Sequence, residues 1–257
     1  MSIRMEMTDK LKLPYCGIPL SITTMSEDFY MLCCSREEKF NIFNRSNLRE
    51  VKHVIHTRDY NFESRVIVAC NPSSCVFVLS NKGKELNVNS VERITKDDEH
   101  QFVVSPWISD LTPDVKYIIS VSPEGSLILS RTEGADTILR IYAMDGSLKQ
   151  EIRLSLDLFY FKRIIPKSSG NLVFVSLNYE FKKQLTETNL DGNVVKTYDS
   201  SLMAADVDYA DAENRFLLVG PDSKMELLDS QFNPLRVTPP TEAPSNRWAH
   251  PTHLHYD

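Results

Sequence analysis

The feature that most restricts this chain is a unit of short apolar runs that recurs along its length. Comparable runs begin at residues 30 (YMLCC), 75 (CVFVLS), 126 (SLILS), 171 (NLVFVS) and 215 (RFLLVG), at separations of 45, 51, 45 and 44. Each follows another run: LSITTM from Leu20, RVIVAC from Arg65, YIISVS from Tyr117, FKRIIP from Phe161 and ADVDYA from Ala205. Turn-forming segments (SED, NPSS, PEG, KSSG and DAEN) join the two. A third run comes next (FNIF, ELNVNSV, TILRIYAM, KKQLTETNL, KMELLD), and a fourth usually follows MDG, LDG or SQFN. The runs are short and rich in β-branched and aromatic residues, which is the pattern of strands and not of helices.

Four antiparallel strands every ~40–50 residues is the spacing of a propeller blade. A single four-stranded meander cannot bury both of its faces, whereas radially stacked neighbours cover both and leave only short edges. Inner strands should then be apolar throughout, as RVIVAC, CVFVLS and NLVFV are, and outer ones should alternate, as LREVKHV, LKQEIRL and NVVKTY do. A β-sandwich also has short strands and polar turns, but it predicts no four-strand unit at near-constant spacing. The expected fold is all-β, one β-propeller domain over 1–257 of a six-bladed type, with about five complete blades and a partial last one. The blades fall at 15–60, 61–112, 113–157, 158–200 and 201–241. RWAHPTHLHYD (within 242–257) reads as the first strand of the partial blade, and residues 1–14 as a flexible arm or an outer strand for it. An incomplete ring, with unpaired edges that favour association, is the expectation.

Composition removes other classes. No apolar stretch approaches the ~18–20 residues of a membrane-spanning helix. MSIRMEMTDKLKLPY lacks the apolar core of a secretory signal, and a net charge of -6 argues against general binding to nucleic acid or anionic membrane. Five cysteines, at 16, 33, 34, 70 and 75, fit neither a disulfide framework nor paired zinc ligands. A cytoplasmic protein is expected.

The clearest repeats are FKRIIPKSSGNLVFVS with TNLDGNVVKTY, and DVDYADAENRFLLVGPDSKMELLDSQFNPLRV. They resemble the NHL repeat, the blade of propellers found at the C-terminus of many tripartite-motif proteins. Asp222 and Lys224 stand where that family has its V-x-D-x-x-N bend, without the Asn. WD40 blades are the nearest rival, but no Gly-His or Trp-Asp dipeptide occurs. The resemblance implies protein interaction through the propeller faces. No RING-type or B-box Cys/His array accompanies it, so ubiquitin-ligase activity is not expected of this chain alone.

Three candidate constellations could carry chemistry. His250, His253 and His255 have the residue type of a metal site, and His253 and His255 would share a strand face; a frayed terminal strand explains them as well. Asp206, Asp208, Asp211 and Glu213 cluster in ADVDYADAEN, where an inner-strand metal site competes with a solvated turn. Lys162, Arg163, Lys167, Lys182 and Lys183, with Tyr179 and Phe181, could form a basic, aromatic face of the fourth blade for RNA or another partner, against the plainer reading of a solvated loop face. Nucleophile elbows and phosphate loops of the G-x-S-x-G, G-x-x-x-x-G-K-[ST] or G-x-G-x-x-G type are absent. The expected role is therefore a non-enzymatic platform with a protein partner and no cofactor. RNA binding and a metal-dependent propeller hydrolase or lyase are the alternatives.

Overall fold

Twenty-two strands and no helix make up what a computed structural model describes, namely residues 3–4, 19–26, 29–34, 39–44, 50–55, 65–70, 75–80, 89–96, 101–112, 115, 117–156, 158, 163–203, 207–210, 215–219, 225–235 and 237–238. β1 (Ile3–Arg4) precedes five antiparallel meanders. The first is β2 (Pro19–Ser26), β3 (Phe29–Cys34), β4 (Lys39–Asn44) and β5 (Glu50–Ile55). The second is β6 (Arg65–Cys70), β7 (Cys75–Ser80), β8 (Asn89–Lys96) and β9 (Phe102–Leu111). The third is β10 (Tyr117–Val121), β11 (Leu127–Glu133), β12 (Asp136–Tyr142) and β13 (Leu148–Leu154). The fourth is β14 (Arg163–Pro166), β15 (Leu172–Leu177), β16 (Lys182–Thr188) and β17 (Val194–Met203). The fifth is β18 (Val207–Ala210), β19 (Arg215–Val219), β20 (Met225–Leu228) and β21 (Pro234–Leu235).

β22 (Val237–Thr238) pairs with β1 in a parallel two-stranded sheet, Ile3 opposite Val237. The N-terminal segment thus meets the chain beyond the fifth meander without entering an antiparallel one. Strands remote in sequence are free of the hairpin that enforces antiparallel pairing. The anticipated partial blade at 242–257 lies outside the described residues. The 200/201 blade boundary falls inside β17, whose pairing with β16 is interrupted by a bulge and resumes at Lys182–Met203.

Apolar seams join consecutive meanders, because the two faces of an inner strand serve two neighbours. In β15, Leu172 and Phe174 pack with Ile128, Leu139, Ile152 and Leu154 of the third meander. The alternate residues Val173 and Val175 pack with Phe216, Leu218 and Leu228 of the fifth. This two-sided burial is why LVFVSL carries an unbroken apolar run. Each Leu, Val or Phe so buried contributes about 1.5–3 kcal/mol. Between the second and third meanders, Trp107 places its ring 4.7 Å from Phe77 and 5.9 Å from Tyr142.

Six hairpin turns share one backbone design. In each, the first residue's N–H donates to the fifth residue's carbonyl, and the fourth residue's N–H donates to the first's carbonyl. They begin at Ser122, Ala143, Lys167, Asn178, Asn189 and Asp229. The fourth residue has positive φ every time: Gly125, Gly146, Gly170, Phe181, Gly192 and Phe232. In three of the six the opening Asn or Asp also accepts backbone N–H groups two and four residues on, as Asn189 Oδ1 does from Asp191 and Asn193.

The turns report on the seams. A Cβ at Gly170 would meet nothing within 4 Å, whereas one at Gly192 would lie 3.0 Å from Leu154 Cδ2 of the third meander. Gly170→Ala should cost about 1 kcal/mol through left-handed backbone strain alone, and Gly192→Ala about 2 kcal/mol because buried Leu154 must also yield. Urea-unfolding midpoints of the two variants check this ordering.

Candidate functional site in the seam between the fourth and fifth meanders

The strand order gives each meander two ends. One carries its first and third turns; the other carries its middle turn and the links between meanders. The seam between the fourth and fifth meanders is apolar in its middle and holds a carboxylate at each end, and the two carboxylates have opposite surroundings.

At the end with the first and third turns, Glu187 of β16 is 3% exposed. Lys167 Nζ lies 3.0 Å and Lys196 Nζ 3.1 Å from its Oε2, and Asn171 Nδ2 donates to Oε1 at 2.7 Å. Both lysines reach across the seam to the Ser230 carbonyl, at 3.1 and 2.8 Å. Lys196 also donates to Gln231 Oε1 at 3.0 Å and stands 4.6 Å above the Phe232 ring. Burial pushes the Glu187 carboxyl up, but the hydrogen bonds from Asn171, Lys167 and Lys196 outweigh it and hold the group below the ordinary glutamate value. A buried carboxylate held by two cations and an amide ties two meanders together and is closed off from a substrate by its burial.

At the opposite end, Glu226 of β20 accepts three hydroxyl protons from β17 across the seam. Ser201 Oγ donates to Oε1 at 2.6 Å, while Ser200 Oγ and Tyr198 Oη donate to Oε2 at 2.7 and 3.1 Å. Among the described residues Glu226 makes no ion pair, so its charge is met by hydroxyl dipoles only. Ser200 is buried and Ser201 exposed, which opens the cluster to solvent through Ser201. The bulge in β17 opposite Lys183 allows Ser200 and Ser201 to point at the same carboxylate, which regular strand alternation forbids. Tyr198 is pushed up to about 12 by burial first, then by the Glu226 carboxylate beside it, and stays a protonated donor at neutral pH.

The candidate residues read from the sequence divide between the two ends. Lys167 belongs to the buried Glu187 cluster. Arg163 opens β14 at the Glu226 end, where the 178–182 turn also places Tyr179, Phe181 and Lys182. Lys182 is paired with Glu180 at 2.6 Å, and Lys183 is fully buried two residues before Leu185 of the seam core. The seven residues therefore do not form one basic face, since strand polarity sends Lys167 to the far end and burial removes Lys183. Lys162, His250, His253, His255, Asp206, Asp211, Glu213, Asp222 and Lys224 lie outside the described residues, while Asp208 sits in β18 opposite Leu217. Among the described residues no three His, Cys, Asp or Glu gather to hold a metal ion. Glu226 and Glu187 were missed for want of a motif. The available signal was a carboxylate in a third strand (KMELLD, KKQLTETNL) expected to be covered on both faces, where it requires partners.

No family model matches the sequence, and no curated protein matches it. Solved structures do. A streptogramin B lyase superposes with a TM-score of 0.54 at 14% identity, over 86% of this chain and 72% of that one. A PQQ-bound aldose sugar dehydrogenase from Streptomyces coelicolor gives 0.55 at 11% identity, over 88% and 87%. A gluconolactonase from Xanthomonas campestris gives 0.53 at 13% identity, over 75% and 65%.

The chain is a β-propeller. At these identities the likeness establishes the fold, and what each neighbour acts on belongs to that neighbour. It also corrects one expectation. The sequence was read as a non-enzymatic interaction platform, yet these propellers carry the names of enzymes, a lyase, a dehydrogenase and a lactonase. The inference from missing nucleophile and phosphate motifs to no enzyme fails, because a propeller collects polar groups from separate blades and leaves no contiguous motif.

The Glu187 cluster makes a definite prediction. Glu187→Gln leaves Lys167 and Lys196 without their shared counter-charge and should cost about 3 kcal/mol. Because the folded-state pKa lies below the unfolded one, the carboxylate's contribution is complete above about pH 5 and is lost as pH falls through the folded value. Chemical denaturation between pH 3 and 7 should therefore show wild-type stability falling on acidification, and a shallower fall for the variant.

Proposed function

We propose that this propeller is a hydrolase or lyase whose general base is Glu226, served by Ser201, Ser200 and Tyr198 at the seam between the fourth and fifth blades. The observation that carries the reading is the 2.6 Å hydrogen bond from solvent-exposed Ser201 to a carboxylate that meets no cation among the described residues. Likeness to propellers named as a lactonase and a lyase adds support. The two reaction types share one need, a base near the reacting bond. In hydrolysis Glu226 takes the proton of a water whose oxygen attacks an acyl carbon. In elimination it takes a proton from the carbon next to the bond that breaks.

Each neighbour of the carboxylate has a part in this. Ser201, at the surface, lends its place on Oε1 to the incoming water or substrate. Ser200 also accepts the Leu202 N–H at 2.9 Å, which fixes its oxygen while it holds Oε2 in position. Tyr198 is a lasting proton donor to the same oxygen, so Oε1 is the atom left to accept the substrate's proton. The described residues do not fit a metal ion, and no step runs through one. The NHL character of the repeats is kept within this reading, supported by the Asp-Gly turns at 145–146 and 191–192.

Hydrolysis of D-glucono-δ-lactone and of 4-nitrophenyl acetate, used as a lactone and an ester probe, tests the assignment. Glu226→Gln, checked by circular dichroism for an intact fold, should lose about 100-fold or more in kcat/KM, the size of a general-base contribution. Ser201→Ala only frees Oε1 and should stay within about tenfold of wild type. Equal activity of wild type and Glu226→Gln on a hydrolysed probe would remove Glu226 as the base.

A further inference from the structure

The first hairpin of the second meander brings two cysteines into register. Cys70 ends β6 and Cys75 begins β7, with Asn71, Pro72, Ser73 and Ser74 between them in the sequence, and the antiparallel pairing sets the two directly opposite. The register runs without a shift from Arg65–Ser80 to Cys70–Cys75, so the whole hairpin fixes the match. Directly opposite residues of an antiparallel pair hold their Cα atoms about 4.5 or 5.5 Å apart, according to whether they exchange hydrogen bonds. Both spacings fall inside the roughly 4.4–6.8 Å that a disulfide spans, and opposite residues share a face of the sheet.

The fold keeps the other cysteines from the same arrangement. Cys33 and Cys34 are consecutive in β3, where neighbouring side chains leave opposite faces, and their partners across the β2–β3 ladder are Ser21 and Pro19. Cys16 lies outside the described residues. The Cys75 thiol is 1% exposed and packs in the apolar seam between the second and third meanders, with Phe77, Ile119 and Leu127. Burial makes an isolated thiol inert. A second cysteine opposite changes that, because the closing step of disulfide exchange is then intramolecular and needs no access from solvent.

We propose that Cys70 and Cys75 form a reversible thiol–disulfide pair whose co-reactant is a small disulfide such as oxidised glutathione. The Cys70 thiolate attacks one sulfur of the glutathione disulfide; that S–S bond breaks, and one glutathione leaves as its thiolate. The Cys75 thiolate then attacks the Cys70 sulfur of the mixed disulfide, and the second glutathione leaves. The protein has lost two protons and two electrons, and the co-reactant has gained them as two glutathione thiols. Opposite Cβ atoms stand about 4.5–5.5 Å apart, whereas a disulfide draws them to about 3.8 Å. Closing the bond therefore works against the packing of Cys75, and strained disulfides are the readily reduced ones. The closed loop adds only the four residues 71–74, so it restricts the unfolded chain less than a long loop would. The pair lies in a different seam from Glu226, and its chemistry is independent of the enzymatic reading.

Peptide mapping of the full chain tests this directly, because trypsin releases Val66–Lys82 with both cysteines in one fragment. The folded protein is equilibrated with oxidised glutathione in about tenfold excess over reduced, then unfolded in the presence of N-ethylmaleimide, digested and weighed by mass spectrometry without reduction. Val66–Lys82 should appear unlabelled and lighter by two hydrogen atoms. It should take up two labels again when reduced glutathione is in about tenfold excess. Cys75→Ser should instead carry one glutathione on Cys70, the mixed disulfide that the missing thiol can no longer resolve. A wild-type fragment that keeps both labels in oxidised glutathione, or in which either cysteine is joined to another part of the chain, would overturn the pairing. A bond that excess reduced glutathione fails to open would overturn its reversibility, and an unmodified Cys70 in Cys75→Ser would overturn the order of attack.

Discussion

Burial of apolar sheet faces between consecutive meanders is the constraint on which this molecule depends. A four-stranded sheet of this size has two apolar faces and, among the described residues, no helix to cover either, so neighbouring sheets close them. Leu172 and Phe174 look one way from β15 and Val173 and Val175 the other, and that single strand ties the third, fourth and fifth meanders together. Burying a charged group in such a seam is costly unless it is paired or hydrogen-bonded. The seam between the fourth and fifth meanders therefore sorts its two carboxylates by what surrounds them. Glu187 has two lysines and an asparagine and is closed off. Glu226 has three hydroxyls, one of them at the surface, and keeps access to solvent.

That difference is what separates a structural tie from a chemical group. Cations at hydrogen-bond distance neutralise a carboxylate's charge, whereas hydroxyls orient it without bringing an opposite charge. The same end of the seam holds the 178–182 turn, where the chain accepts a left-handed phenylalanine at the surface. A bulge in β17 and a left-handed aromatic turn beside it are both departures from regular sheet geometry within one small region, next to the Glu226 carboxylate. Such departures are expected where a fold does more than hold itself together.

Much of the fold was legible in the sequence because its cause is local and periodic. The spacing of YMLCC, CVFVLS, SLILS, NLVFVS and RFLLVG marks the second strand of each meander, and all five appear there. Turn chemistry was readable in MDG, LDG and SQFN, the last although Phe232 takes the glycine's place, and was not read at Asn178–Lys182, where Phe181 does the same. The site was not legible for a related reason. Strand polarity sends Lys167 and Lys182 to opposite ends of one meander although both look like members of one basic cluster. Glu226 meets Tyr198, Ser200 and Ser201 only through the stacking of two separate sheets. No spacing along the chain encodes that contact.

The most direct test of the stacking is native-state hydrogen exchange resolved along the chain. Amides of β11 and β15, covered on both sides by neighbouring meanders, should exchange only through global unfolding and be the slowest in the protein. Those of the outer strands β13 and β17 should exchange faster through local opening. Equal, rapid exchange in β15 and β17 would mean that the meanders do not cover one another, and the account of both the fold and its seam would fail.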